Sequence, residues 1–217
     1  MTQACAATPQ AWHDETFKAT LETVLRTQRL VLEPLTPGHA DELLAPLADP
    51  RLYTHVPQDP PESLDKLRER FVFLSTRRSP VGDQLWLNWV MRDQLDGQCC
   101  GRVQATVTTQ ARAWIAYEVF PERWGRGLAT EACHRMLEWL IDTLGVQQFA
   151  AEVDSLNSAS LRLLDRLGFR RVALREAADQ FKGRTSDEWT LRLEASQFVR
   201  DRAPRPLPNG AAAAGPR

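Results

Sequence analysis

Metal-binding patterns are missing from this chain. Its four cysteines, Cys5, Cys99, Cys100 and Cys133, fit no ligand spacing, and His13, His39, His55 and His134 form no HxxxH or HxH pair. A zinc or di-metal enzyme is therefore not expected, and the cysteines read as reduced structural thiols. Long apolar runs are missing too. The stretch Ala113 to Tyr117 falls far short of the ~20 residues a membrane helix needs. Nor is there an excess of either charge: 27 Lys and Arg face 28 Asp and Glu, leaving −1. No global field draws the chain to nucleic acid or an anionic membrane, so neither partner is expected. Met1 to Glu15 lacks the basic stretch and apolar core of a signal peptide, and a cytoplasmic location is the expectation. No internal repeat and no GxxxxGK[ST] phosphate loop is present.

What remains is the balance of an ordinary globular protein, with 43% apolar and 25% charged residues in a length of 217. That length suits one domain of usual size. Residues 1–26 read as an extension, partly helical or disordered, with a weak helical pattern between Trp12 and Thr27. Residues 27–195 read as the domain. Residues 196–217, rich in Pro, Ala and Gly, lack the apolar bulk to offset their ordering entropy and read as a disordered tail.

Within the domain, Leu30 to Leu32 reads as a short strand stopped by Pro34, Pro37 and Gly38, and His39 to Leu47 as a short helix. Asp59 before Pro60-Pro61-Glu62 signals a helix start, with Leu64, Leu67, Phe71 and Leu74 at helical spacing. Leu85 to Met91 and Gly101 to Thr108 read as strands, and Asp96-Gly97 between them signals a hairpin. Trp114 to Phe120 continues the meander. A long helix then carries Leu128, Ala132, Met136 or Leu137, Leu140, Ile141 and Leu144 on one face, closed by Gly145. Gln148 to Val153 is a strand, Asn157 to Leu167 a helix stopped by Gly168-Phe169, and Arg170 to Arg175 and Ser186 to Leu193 are two last strands. The pattern predicts a mixed α/β (α+β) domain.

The chemistry lies between Tyr117 and Ala132. A strand leads through Gly125-Arg126-Gly127 into the long helix. Unpaired N–H groups and the positive end of the helix dipole there suit a phosphate or pyrophosphate. Glycines let the backbone approach the ligand, and Arg126 adds a charge. A dinucleotide fingerprint would need a third glycine where Thr130 stands and a shorter link from strand to turn, although Glu152 does close the next strand.

The stretch Trp124-Gly125-Arg126-Gly127-Leu128-Ala129 resembles the Gln/Arg-x-x-Gly-x-Gly/Ala pyrophosphate loop of the GNAT superfamily of N-acetyltransferases, with Trp124 departing from the first position. Extended through Thr130-Glu131-Ala132, it is similar to the branch typified by ribosomal-protein N-terminal acetyltransferases. Asn157-x-x-Ser160 followed by Leu167-Gly168-Phe169, and the opening Arg29-Leu30-Val31-Leu32, also resemble that branch, so the likeness spans about residues 27 to 195. The resemblance implies a GNAT fold: a central, mixed, mostly antiparallel sheet of about six to seven strands flanked by about four helices.

It also implies acetyl-CoA as cosubstrate and a primary amine as acceptor, on a protein N-terminus or a small molecule, in a monomer or homodimer. The pantetheine arm would run along Glu118, Val119 and Phe120, and the pyrophosphate would meet Gly125, Arg126, Gly127, Leu128, Ala129 and Thr130. Asn157, which also fits as a helix N-cap, and Ser160 would complete the cofactor site. Ser160 is implied as proton donor to the departing thiolate and Glu118 as a base, unless an arginine pairs with it. A backbone N–H of Val119 or its neighbour would hold the oxyanion. Glu131 reads as an acid in the first helical turn, matched to the dipole. The acceptor pocket is expected between Tyr53 and Gln58 and along the strand holding Trp86 and Trp89, with His55 a further possible base. Two other functions fit the same turn: a non-catalytic acyl-CoA sensor and an NAD(P)-binding oxidoreductase.

Overall fold

The computed structural model describes Trp12 and residues 15–198. Strands β1 (Leu25–Arg26), β2 (Leu30–Pro34), β3 (Gln84–Asp93), β4 (Cys99–Thr108), β5 (Arg112–Val119), β6 (Gln148–Asp154), β7 (Arg170–Phe181) and β8 (Arg184–Glu194) form one sheet, ordered β1-β2-β3-β4-β5-β6-β8-β7. Every pairing is antiparallel except β5 with β6. Eight strands exceed the expected six to seven. The extra one is β1, two residues long and too short to leave a periodic signal.

The described helices also exceed the expected four: α1 (Glu15–Leu21), α2 (Ala40–Leu47), α3 (Leu64–Ser75), α4 (Leu128–Leu144) and α5 (Ser158–Leu167). Helix α3 starts later than Asp59, because Ser63 caps it by accepting a hydrogen bond from Lys66 N. Asp96-Gly97 lies in a longer loop between β3 and β4 rather than making a two-residue turn. Strands β7 and β8 run out to a tight turn at Lys182-Gly183, well beyond the expected ends.

Residue alternation gives the sheet two faces. Leu87, Trp89 and Met91 of β3, Val103 and Ala105 of β4, Ala113 and Ile115 of β5, and Phe149 and Val153 of β6 enter the main core with α4 and α5. Trp12, Leu21 and Leu25 are buried there as well. On the other face α2 and α3 bury a smaller cluster that includes Leu43, Leu47, Leu67, Phe71 and Val90. An ion-pair network fastens that face: Arg92 holds Glu33 at 3.0 Å and Glu42 at 2.9 Å.

Cys100 and Cys133 are buried free thiols and Cys99 is half-buried. Burial pushes the Cys100 thiol up to about 12, and raises Cys99 and Cys133 as well. Phe198 is buried against the His134 ring, so the proposed tail boundary at 196 falls inside packed structure. The remainder of residues 196–217, and the part of the 1–26 extension before Glu15 other than Trp12, lie outside the described residues. Among the described residues no helix is long and apolar enough to cross a membrane, and no group of His, Cys, Asp and Glu could hold a metal ion.

Candidate active site

The site begins where two strands part. Strands β5 and β6 pair only over Arg112–Trp114 and Gln148–Ala150, yet β5 continues to Val119 and β6 to Asp154. A wedge opens between their carboxyl ends, the usual ligand position beside a parallel strand pair. Gly101 is a close-approach glycine: a Cβ there would meet Glu118 O at 2.2 Å, which places that carbonyl on the β4 side. Phe120 N also donates to Cys100 O at 2.9 Å on that side. Alternation then turns the N–H groups of Tyr117 and Val119 toward the wedge. Of the three residues expected to line the pantetheine, only Val119 therefore offers its N–H there. Its carbonyl accepts from Trp124 Nε1 at 2.6 Å.

Pro121–Arg123 makes a 3-10 turn, and the chain enters α4 through Gly125 and Gly127. Both glycines sit at left-handed φ, +76° and +74°, where a side chain would be strained. Gly127 is the N-cap of α4 and no side chain caps it, whereas Ser63 and Asn157 cap α3 and α5. The first amides of α4, at Leu128, Ala129 and Thr130, are the groups such a terminus leaves for an anion. Leu128 itself packs into the core, so only its backbone is available. The Arg126 side chain is exposed.

A clamp holds this loop. Glu131, 6% exposed, accepts from Thr27 Oγ1 at 2.5 Å and Arg29 N at 2.9 Å through Oε1. Its Oε2 accepts from Arg29 Nε at 2.6 Å, and Arg29 Nη1 donates to Arg126 O at 2.8 Å. Glu131 is thus more than a dipole acid: it ties the start of β2 to the loop.

Across the wedge, Asn157 Oδ1 accepts from Ser160 N at 3.0 Å, the N-cap of α5. Ser160 Oγ lies 2.7 Å from the Tyr117 phenol oxygen, which is also 3.2 Å from Ser160 O. Burial, above all, pushes the Tyr117 phenol above its ordinary value and keeps it protonated. This contact joins residues 43 apart in the chain and left no sequence signal; an aromatic at that strand position reads simply as core. Glu118 faces the opposite side, where Arg102 Nε donates to its Oε1 at 2.5 Å. To act as a base there it would have to release that partner.

The Glu118 face carries a cavity of about 370 Å3. It is lined by His55 to Gln58, by Gln104, Trp114 and Ala116, and by Glu152, Asp154, Asp179, Phe181, Ser186 and Glu188. The expected loop contributes, but Trp86 and Trp89 do not. Trp86 packs edge-on to Phe73 at 5.3 Å, and Trp89 packs on Trp139 at 5.5 Å in the main core. The wall is instead β4, β5, β6 and the β7–β8 hairpin. Buried Asp154 anchors it, accepting from Ser186 Oγ at 2.6 Å and Arg184 Nη2 at 2.5 Å. Burial alone would raise its carboxyl, but these bonds outweigh it and hold the group below its ordinary value.

A family model described as an acetyltransferase (GNAT) domain matches residues 29–170. The chain is 24% identical over 150 residues to an uncharacterized N-acetyltransferase, YoaA, of Bacillus subtilis, covering 68% of this chain and 83% of that one. The fold is similar to that of Mycobacterium smegmatis RimJ in complex with CoA-disulfide, with TM-score 0.69 and 21% identity over 80% of this chain and 87% of that one. It is also similar to a Salmonella typhimurium acetyltransferase that modifies the N-terminal serine of ribosomal protein L7/L12. There the TM-score is 0.69 and the identity 14%, over 79% of this chain and 99% of that one.

Proposed function

Because this chain belongs to the GNAT acetyltransferase family, we propose that it moves an acetyl group from acetyl-CoA to a primary amine by direct attack in a ternary complex. The acceptor is a protein N-terminus or a small-molecule amine. The observation that carries this reading is the wedge between β5 and β6 beside the uncapped N-terminus of α4. An extended pantetheine arm would lie in the wedge as an added strand, recognised by main chain rather than side chains. The pyrophosphate would meet the amides from Gly125 to Thr130. Val119 N–H would donate to the oxyanion that forms as the amine attacks.

Ser160 acts on the leaving group. The protonated Tyr117 phenol donates to Ser160 Oγ, leaving the serine proton free to meet the sulfur as the thiolate departs. Tyr117 is thus a positioning residue. Asn157 fixes the turn that presents Ser160, and Glu118 shapes the acceptor side beside Arg102. An N-terminal acceptor is the favoured amine on energetic grounds. Making an α-amino group near pKa 8 neutral at pH 7 costs ~1.4 kcal/mol, against ~4.6 kcal/mol for a lysine near 10.4. The ribosomal-protein substrate of the Salmonella neighbour supports the same choice. The free described thiols fit a reducing, cytoplasmic setting, and a monomer or homodimer would serve.

The test is a thermal-shift comparison of acetyl-CoA, CoA, NAD, NADPH and ATP, followed by an amine screen for thiol release. A ligand at 100 times its dissociation constant adds ~2.7 kcal/mol, a rise of roughly 5–10 °C for a domain of this size. The expected result is a selective rise with acetyl-CoA or CoA, then turnover. A rise with NAD alone would overturn the reading, and binding of CoA without turnover of any amine would make the protein a sensor.

A further inference from the structure

The Arg102-held Glu118 leaves open which group takes the proton from the incoming ammonium. Alternation assigns the two sides of the wedge different work. Tyr117 lies on the α4 and α5 side and reaches Ser160. Ala116, Glu152 and Asp154 line the cavity on the other. The acceptor therefore enters through the cavity, and its proton acceptor must stand there.

We propose that His55 is that group, with Asp154 as its positioning residue. The inference rests on the acetyl-transfer reading above. His55 Nδ1 lies 3.6 Å from Asp154 Oδ1, within ion-pair reach, and is buried with no hydrogen-bond partner. The ring as a whole is 32% exposed and lines the cavity. Asp154 is immobilised for this role. Its Oδ2 accepts from Ser186 and Arg184, and its Oδ1 accepts from Leu156 N at 2.8 Å while facing His55.

The loop bearing His55 is also tied down. Lys182 Nζ donates to Val56 O at 2.8 Å and to Gln58 O at 2.9 Å, and Arg184 Nη2 lies 3.4 Å from Thr54 O. The long β7–β8 hairpin is what brings these two cations to the loop. Other charged groups facing His55 across the cavity are Glu152 of β6, Asp179 of β7 and Glu188 of β8, the last held by Arg175 at 2.6 Å.

The step balances without an added reactant. An N–H bond of the ammonium breaks, its proton forms a bond to His55 Nε2, and the electron pair stays on nitrogen to attack the acetyl carbon. The imidazolium faces the Asp154 carboxylate and later returns its proton to water through the open cavity, while the second proton, shed by nitrogen as the tetrahedral adduct collapses, replaces the one Ser160 gives to sulfur.

The test measures CoA thiol release from about pH 6 to about pH 10, using the amine the wild type acetylates, for wild type, His55→Gln and Asp154→Asn. Acetyl-CoA affinity is measured separately by calorimetry. His55→Gln should lose ~10²-fold in kcat at neutral pH with acetyl-CoA affinity unchanged. The deficit should narrow as pH rises and the ammonium loses its proton to water unaided. Asp154→Asn should lower kcat at neutral pH with acetyl-CoA affinity unchanged, and its deficit should narrow toward high pH as that of His55→Gln does. A packing role alone would not give that pH dependence. Matching profiles for wild type and His55→Gln would overturn the proposal and leave acetyl transfer standing. A wild type that binds no acetyl-CoA would overturn the underlying reading, and this proposal with it.

Discussion

The two faces of the sheet are held by different forces. The α4 and α5 face packs by continuous apolar contact, and the side of the site proposed for the cofactor, the loop and the wedge, is mostly main chain: two left-handed glycines, an uncapped helix end and wedge-facing amides. The α2 and α3 face has the smaller core, is stapled by arginine–carboxylate pairs, and ends in a cavity walled by side chains from well-separated segments. Main-chain recognition needs few residue types at fixed local spacing. Side-chain recognition can be assembled from anywhere in the chain.

The largest test of that contrast is Arg29→Ala, which leaves the buried Glu131 carboxylate without its cation. It should cost about 3 kcal/mol in urea unfolding and weaken acetyl-CoA binding, because the loop loses its tie at Arg126 O. Next comes Gly127→Val, which forces a β-branched residue into the left-handed region. Acetyl-CoA affinity by calorimetry should fall ~10²-fold with the acceptor KM unchanged, the strain falling at the N-cap itself.

A smaller effect separates the members of the Tyr117–Ser160 pair. Ser160→Ala should lower kcat ~10-fold or more, while Tyr117→Phe, which keeps the ring in the core, should lower it less, both with acetyl-CoA affinity unchanged. An equal loss in acetyl-CoA affinity would show that the pair serves binding rather than departure of the thiol.

The smallest effect sharpens the contrast through acid. Hydrogen bonding from Arg92 holds Glu42 down to about 2, below its ordinary 4.5, and lowers Glu33 as well. Such carboxylates stabilise the fold above about pH 4.5 and lose that contribution as pH falls toward about pH 2. Both are solvent-accessible, so screening leaves about 1 kcal/mol. Urea midpoints at about pH 5 and about pH 3 should differ in the wild type, and Arg92→Met should lose most of the difference.

Legibility in the sequence follows the same division. The α4 and α5 caps were readable because Gly145, Asn157 and Gly168 act within a few residues of their own helices. The turn through Gly125 and Gly127 into α4 was readable because left-handed glycines and a helix start are local features. The cavity was not, since His55, Ala116, Asp154 and Ser186 meet only when strands from distant segments align. The outer half of β7 escaped notice because Arg175 to Gln180 is mostly exposed on both faces, so no apolar alternation marks it. Trp86 and Trp89 misled for the converse reason: three apart on β3, they face opposite sides of the sheet, and aromatic character marks a strand without telling which neighbour covers it. Arg29 and Glu131, 102 apart, were each readable as local features, but their union was not.

The burial of the described cysteines decides how this protein is best assayed. With Cys100 and Cys133 enclosed, Cys99 half-enclosed and all three thiols held well above neutral, these groups carry little thiolate to meet a disulfide reagent. A colorimetric thiol titration of the native enzyme therefore has a low background from them. In the proposed reaction, the signal that grows during turnover would then be the coenzyme's own sulfhydryl, read continuously and without separation.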